Sequence, residues 1–144
     1  MAKSEEEIQG FKEYRKSLLE QKSKSDDDFE KYITFIASGG LGLTITFINE
    51  ISPLDESKHV YLIISGWILL TLTLLINLFS HFLSSRNDEK TIQDLDDDDI
   101  DYDQLVKKID QRNNRIFYLN LSSIIFLGLG ITSIIIYVSL NAYQ

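Results

Sequence analysis

Three long uncharged segments dominate the pattern of apolar and polar positions. Residues Tyr32–Ile48, Val60–Ser85 and Ile116–Gln144 contain no Asp, Glu, Lys or Arg over 17, 26 and 29 positions. A helix needs roughly 20 mainly apolar residues to cross a bilayer core of about 30 Å. A soluble helix would instead carry a charged stripe along one face. The pattern predicts an all-α membrane protein with three transmembrane helices, the first of which has the shortest apolar run.

All charged residues lie outside these runs, and the alternation divides the chain into six parts. Ser4, followed by Glu5, Glu6 and Glu7, is typical of a helix start with a capping side chain and acids in the first turn. Leu105, Ile109, Arg112 and Ile116 continue at helical spacing into the last apolar run. The predicted parts are an N-terminal cytoplasmic helix (1–28), transmembrane helix 1 (29–51), an external turn (52–59), transmembrane helix 2 (60–84), an acidic cytoplasmic helical hairpin that extends helices two and three (85–111), and transmembrane helix 3 (112–143).

The distribution of basic residues predicts the orientation. Of the 14 Lys and Arg residues, seven precede residue 32 and six lie between Arg86 and Arg115. Only Lys58 falls in the predicted external turn. Loops rich in Lys and Arg stay on the cytoplasmic side of a membrane, whereas acids contribute little to this rule. The N-terminus is therefore expected in the cytoplasm and the C-terminus outside.

Composition argues against several classes of function. The net charge is −8 and no basic stripe is present, so direct binding of nucleic acid is not expected. The chain has no Cys, only His59 and His81, no Gly-rich phosphate loop, and no Asp or Glu in the three apolar runs. The acidic run Asp96–Asp99 lacks the Gly and Glu positions of a calcium-binding loop. We expect no enzyme activity, no catalytic residue, no metal site and no cofactor.

Polar residues recur at helical spacing inside the second and third apolar runs. They are Thr73, Asn77, Ser80 and His81 on helix two, and Asn120 and Ser123 on helix three. Polar groups in hydrocarbon must find partners or water. One interpretation is that they join helices by hydrogen bonds, which is favoured for the individual residues. The other is that they line a narrow aqueous path in an oligomer. Stripes that face inward within one protomer favour a non-conducting protein, and stripes that face a common axis favour a pore.

Small residues form a second pattern. Ser38, Gly39 and Gly42 lie in the first apolar run, within ASGGLG, and Gly128 and Gly130 lie in the third. Small residues allow two helix backbones to approach closely in a membrane. They therefore predict close helix packing. One protomer of this size has little interior to bury them together with the Asn residues, so a homo-oligomer is expected.

The order of these features resembles a known group of proteins. FEKYITFIASGGLGLTITFI is followed by a short turn, then by WILLTLTLLINLFSHFLSS, an acidic spacer and a third helix. This layout is similar to that of small bacterial membrane effectors of antiphage defence, including SLATT-type effectors and the small membrane proteins of some CRISPR systems. The resemblance implies a homo-oligomeric pore or ion channel in the bacterial inner membrane that perturbs membrane integrity or potential, with a trigger supplied by a partner protein. The alternative is a non-conducting membrane adaptor that recruits a soluble cytoplasmic partner through its N-terminal helix and acidic loop.

Overall fold

The computed structural model describes residues 5–51, 53–54, 57–96 and 100–141, and for residues 5–8, 11 and 51 the backbone alone. The outermost positions of the predicted segments 1–28 and 112–143, part of the predicted turn 52–59, and positions 97–99 of the predicted acidic hairpin lie outside the described residues. All regular structure in the described part is helical, without strands. The helices are α1 (Glu5–Ile51), α2 (Val60–Leu95) and α3 (Tyr102–Asn141). The all-helical prediction is confirmed.

Each of the three helices is long and apolar enough to cross a membrane. This confirms the prediction of three candidate transmembrane helices and indicates an integral membrane protein. The predicted N-terminal helix and first transmembrane helix form one continuous helix of 47 residues. The chain divides into two compact units, Met1–Tyr32 and Ile33–Gln144, so α1 contributes residues to both.

The first unit is a charged length of helix. Its side chains from residue 12 to residue 27 are exposed. Ion pairs one helical turn apart, Lys16–Glu20 and Lys31–Asp28, both have N···O distances of 3.9 Å. Exposed pairs of this kind add little stability, because water screens them. The charges therefore serve mainly to keep this length of helix in water.

The ends of the helices in the second unit follow from local backbone chemistry. Pro53 stands two residues after the last residue of α1, where a proline cannot continue a helix. His59 precedes α2 with φ 58° and ψ 37°, a left-handed conformation that only a few non-glycine residues adopt. Its carbonyl oxygen accepts a hydrogen bond of 2.9 Å from the Leu62 amide. Pro53 and His59 thus mark the end of α1 and the start of α2.

Helices α2 and α3 make direct backbone contact at two glycines. A Cβ added to Gly66 would lie 2.6 Å from Cγ1 of Ile134 and 3.1 Å from the carbonyl oxygen of Gly130. A Cβ added to Gly130 would lie 3.2 Å from the carbonyl oxygen of Gly66. A side chain at either position would push neighbouring atoms of the other helix back. The two glycines therefore set the distance between α2 and α3.

Apolar side chains pack the second-unit part of α1 against the other two helices. Ile63, Leu70 and Tyr137 are fully buried between the helices, and Ala37 of α1 is buried with them. Outward-facing residues such as Phe35 and Leu78 are 76% and 68% exposed. An apolar outer surface of this kind suits contact with lipid.

Gly130→Ala tests the close contact of α2 and α3. The added methyl would lie 3.1 Å from Cδ2 of Leu70 and 3.2 Å from the carbonyl oxygen of Gly66. We therefore expect a loss of about 1–3 kcal/mol in the free energy of unfolding. Gly128→Ala is the matched control, because no atom outside its own stretch of helix lies within 4 Å of an added Cβ. The control should leave stability unchanged or raise it by up to about 1 kcal/mol, since Ala favours helix over Gly. Denaturant unfolding in detergent measures both variants. Equal stability of the two would show that α2 and α3 do not meet at Gly130.

Candidate functional site

Two hydrogen bonds between side chains join α1 to α2. Nδ2 of Asn77 donates to Oγ1 of Thr34 at 2.8 Å, and Nε1 of Trp67 donates to Oγ1 of Thr44 at 2.9 Å. Ten residues separate the two donors on α2 and ten separate the two acceptors on α1. The helices are therefore antiparallel in a constant register, with the bonds about 15 Å apart along the axis.

Side chains also join α2 to α3. Oγ of Ser80 donates to Oδ1 of Asn120 at 2.7 Å. Nearer the turn between α1 and α2, the hydroxyls of Ser65 and Ser133 are 3.0 Å apart, and Oγ of Ser133 donates to the carbonyl oxygen of Leu62 at 2.8 Å. These bonds lie on both sides of the glycine contact. They fix both the spacing and the rotation of the helix pair.

The polar stripe of α2 faces the inside of the chain. Thr73 and Ser80 are fully buried, and Asn77 is 4% exposed. The Thr73 hydroxyl donates to the carbonyl oxygen of Leu69 on its own helix. Ser123 on α3 is also fully buried, and its hydroxyl has no hydrogen-bond partner in the described part of the chain. Four of the six predicted polar residues are thus buried within a single chain.

The side chain of Asn141, the last described residue of α3, is hydrogen-bonded to the turn before α2. Its side-chain oxygen accepts a hydrogen bond from the Lys58 amide at 2.8 Å. Its Nδ2 donates to the carbonyl oxygens of Lys58 at 3.0 Å and Tyr137 at 2.9 Å. The amide thus pairs both backbone groups of Lys58, in the turn that precedes α2. The end of α3 is in this way tied to the start of α2.

A charged cluster joins the opposite ends of α2 and α3. Asp94 accepts hydrogen bonds from Nζ of Lys108 at 2.8 Å and from Nη2 of Arg112 at 2.5 Å. Nη1 of Arg112 also donates to Oγ1 of Thr91 at 2.8 Å. The hydrogen bonds from Lys108 and Arg112 hold the pKa of Asp94 below its ordinary value of 3.8, against an opposing effect of burial. The cluster joins α2 to α3 within their charged extension, ten residues beyond Ser84.

The remaining predicted residues are less enclosed. Asn120 is half-buried, and His81 is exposed on the outer surface of α2. Gly130 lies at the contact between helices, whereas an added Cβ at Gly39, Gly42 or Gly128 meets nothing within 4 Å. Ser38 is exposed and donates to a carbonyl oxygen of its own helix. Close packing at Ser38, Gly39, Gly42 and Gly128 would need a helix from another molecule, and stays a prediction.

Several residues of the site are not among the predicted ones. They are Thr34, Thr44, Leu62, Ser65, Gly66, Trp67, Thr91, Asp94, Lys108, Arg112, Ser133 and Asn141. Gly66 and Trp67 stand together in ISGWILL. They interrupt an otherwise aliphatic run, and this interruption could have marked both residues as candidates for contact between helices. Nothing in the sequence marks Thr34 and Thr44 as acceptors, because a threonine in a membrane helix equally well bonds to its own backbone.

The described residues contain no group of three or more His, Cys, Asp or Glu side chains that could hold a metal ion. Compared with models of known protein families, with curated proteins and with solved structures, the chain has no match. The resemblance to antiphage effectors therefore stays a prediction. The fold and site define a three-helix bundle with buried polar contacts between its helices and a charged extension at one end.

Asn77→Leu tests the polar contact between α1 and α2. Leu has similar size but cannot donate to Thr34, so we expect a loss of about 0.5–2 kcal/mol in the free energy of unfolding. His81→Leu is the control, because this exposed position gains apolar surface and should not lower stability. Both are compared by denaturant unfolding in detergent. An Asn77→Leu variant as stable as the parent would show that this amide does not hold α1 in place.

The Asp94 cluster predicts a dependence of stability on pH. A carboxyl group whose pKa is lowered on folding stabilises the fold above its unfolded pKa, near 3.8, and this stabilisation is lost as the pH falls through the lower folded pKa. The thermal midpoint of the parent should therefore fall more steeply below about pH 4 than that of Asp94→Asn. Glu89→Gln, on the exposed surface of α2, is the control and should follow the parent. Parallel pH profiles for the parent and Asp94→Asn would contradict the ion pair.

Proposed function

We propose that the protein is a non-conducting membrane adaptor, which holds a charged surface at the membrane and recruits a soluble partner to it. The observation that carries the proposal is the hydrogen bonding of the predicted polar stripe within one chain. Asn77 bonds to Thr34 and Ser80 bonds to Asn120, and neither Asn77 nor Ser80 faces outward. Polar groups that are satisfied inside a bundle need no water path.

The centre of the bundle supports the same conclusion. Ile63, Leu70 and Tyr137 are fully buried, and Gly66 and Gly130 bring the backbones of α2 and α3 into contact. An aqueous path through one chain would have to pass this apolar layer. A pore formed between copies would instead need polar residues on the outer surface, where the predicted set contributes mainly His81.

The charged parts of the chain supply the recruiting surface in this proposal. The described end of α2 and start of α3 expose acids on both helices, among them Asp88, Glu89, Asp101 and Asp110. The N-terminal part of α1 exposes a mixture of both charges. Charged surfaces of this kind select partners and speed their association more than they add affinity.

We place these charged parts in the cytoplasm, in the inner membrane of a bacterium, with the C-terminus outside. The orientation rests on the 13 basic residues that flank the apolar runs on one side. The membrane and a role in antiphage defence rest on the resemblance to small defence effectors. In such a system the adaptor would bring a soluble defence protein to the membrane and would not itself open a pore.

Ion conduction separates the adaptor from the pore. The full chain is reconstituted into liposomes that hold a potassium diffusion potential reported by a voltage-sensitive dye. We expect the potential to persist at every protein-to-lipid ratio at which the protein is folded, because Asn77 and Ser80 are hydrogen-bonded inside the chain. Gramicidin in matched liposomes gives the signal for full conduction. Loss of the potential that scales with the amount of folded protein, and that is abolished by Asn77→Leu with His81→Leu, would refute the adaptor and favour the pore.

A further inference from the structure

Three exposed cations lie where the apolar segments of α2 and α3 meet their charged extension. Arg86 directly follows the second uncharged run, Arg115 directly precedes the third, and Lys90 stands one helical turn beyond Arg86. Unlike Arg112, none of the three has an ion-pair partner in the described part of the chain. Like charges one turn apart on a helix repel each other. The group therefore favours an anion from outside the chain.

The two arginines lie at the same level of the helix pair. The hydrogen bonds that Ser80 and Thr91 make with α3 fix the register of the two helices. Arg86 lies six residues after Ser80 and five before Thr91, so it is about midway between the two bonds. Arg115 also lies between the partners of these bonds on α3, three residues from one and five from the other. Their Cα atoms thus differ in height by about one residue, or 1.5 Å.

All three cations point to one side of this helix pair. Each residue turns a helix by about 100°, so positions are measured from residues that face the other helix. From Ser80 and Thr91, which face α3, Lys90 is turned by about 80–100° against the direction in which residue numbers wind around the helix. Arg86 is turned by about 120–140° in the same sense, and Arg115 on α3 by about 60–140°. In antiparallel helices, turns in this sense lead to the same side.

The exposed acids near these cations point elsewhere. Asp88 is turned by about 60–80° in the opposite sense, and Glu89 points away from α3. On α3, Asp110 points away from α2. Helix α1 also lies on the side opposite to the cations, because Trp67, which is bonded to α1, is turned by about 100° in the opposite sense from Gly66. The side that carries the cations is therefore open and positively charged.

Apolar side chains continue this side toward the membrane segments. Phe79 and Leu83 on α2 and Leu119 on α3 are turned in the same sense as the cations, by about 60–100°. Phe79 is 54% exposed, and both leucines are half-buried. We call the surface formed by Phe79, Leu83, Arg86, Lys90, Arg115 and Leu119 the boundary groove. Its ligand must combine a negative group with an apolar chain.

We propose that the boundary groove binds an anionic phospholipid. The phosphate lies between Arg86 and Arg115, and an acyl chain lies along Phe79, Leu83 and Leu119. Arginine binds phosphate oxygens in pairs through its planar fork. Basic pockets between membrane helices recognise anionic headgroups in the same way. The site depends neither on recruitment of a soluble partner nor on which side of the membrane carries the extension.

Lipid titration of the purified, delipidated chain in detergent tests the site. Dioleoyl phosphatidylglycerol and dioleoyl phosphatidylcholine share their acyl chains and differ in charge, and native mass spectrometry counts the molecules bound. We expect tighter binding of the phosphatidylglycerol. Each basic residue near an anionic headgroup is worth about a fivefold change in binding. Arg86→Gln with Arg115→Gln should therefore weaken binding of the phosphatidylglycerol roughly 25-fold and leave binding of the phosphatidylcholine unchanged.

Lys12→Gln with Lys107→Gln is the matched control. It removes the same charge at exposed positions, and Lys107 lies eight residues beyond Arg115, about 12 Å along α3. This control should bind both lipids as the parent does. Lys90→Gln alone should cost about fivefold, which gives a second measure if the double variant does not fold. Glycerol phosphate, which has the charge but no acyl chain, should not displace the lipid at equal concentration.

Three results would overturn the proposal. The first is equal affinity of the parent for the two lipids. The second is a loss of phosphatidylglycerol binding that is as large in the control variant as in the arginine variant, which would assign the binding to the overall charge. The third is displacement of the lipid by glycerol phosphate at equal concentration, which would make the groove a site for soluble phosphates.

Discussion

The contact between the backbones of α2 and α3 at Gly66 and Gly130 is the constraint on which the rest of the bundle depends. With the two helices this close, the short side chains of Ser65 and Ser133 reach each other across the interface. A longer separation would break both contacts of Ser133 with α2, whereas Ser65 would keep its hydrogen bond to the carbonyl oxygen of Leu62 on its own helix. The glycines therefore make the polar contacts possible, and the polar contacts in turn set the rotation of the helices.

Helix α1 is held in a different way. It is hydrogen-bonded to α2 through Asn77 and Trp67, which donate to Thr34 and Thr44. Hydrogen bonds between membrane helices are individually weak, because the separated helices also find other partners. The second-unit part of α1 is thus joined by two hydrogen bonds and by apolar packing, whereas α2 and α3 have polar contacts near both ends and a close contact at Gly66 and Gly130. We expect α1 to separate first when the bundle opens.

This arrangement bears on function through what it leaves on the surface. Asn77 and Ser80 are hydrogen-bonded inside the bundle, and large aliphatic and aromatic side chains dominate the outer surface at that level. Charge is concentrated in the extensions, where Asp94 and Arg112 close the pair of helices and other acids remain exposed. A protein built in this way exposes its charged side chains at the membrane boundary and not along the segments that would cross the membrane. That division is the physical basis for preferring an adaptor to a pore.

The sequence by itself determined the three apolar helices and the absence of strands, because apolar length and charge distribution are local properties. It also marked Asn77 and Ser80 as residues on one stripe of helix two, and Ser123 as part of a second stripe on helix three, since helical spacing is local as well. Only the tertiary structure decided that Ser80 has a partner on α3 and that the Ser123 hydroxyl has none among the described residues. Gly128 and Gly130 show the same limit, because two residues turn a helix by about 200° and only one of the two glycines can face α2. The rotation and register of neighbouring helices depend on all their contacts at once, so no pattern within a single helix reveals them.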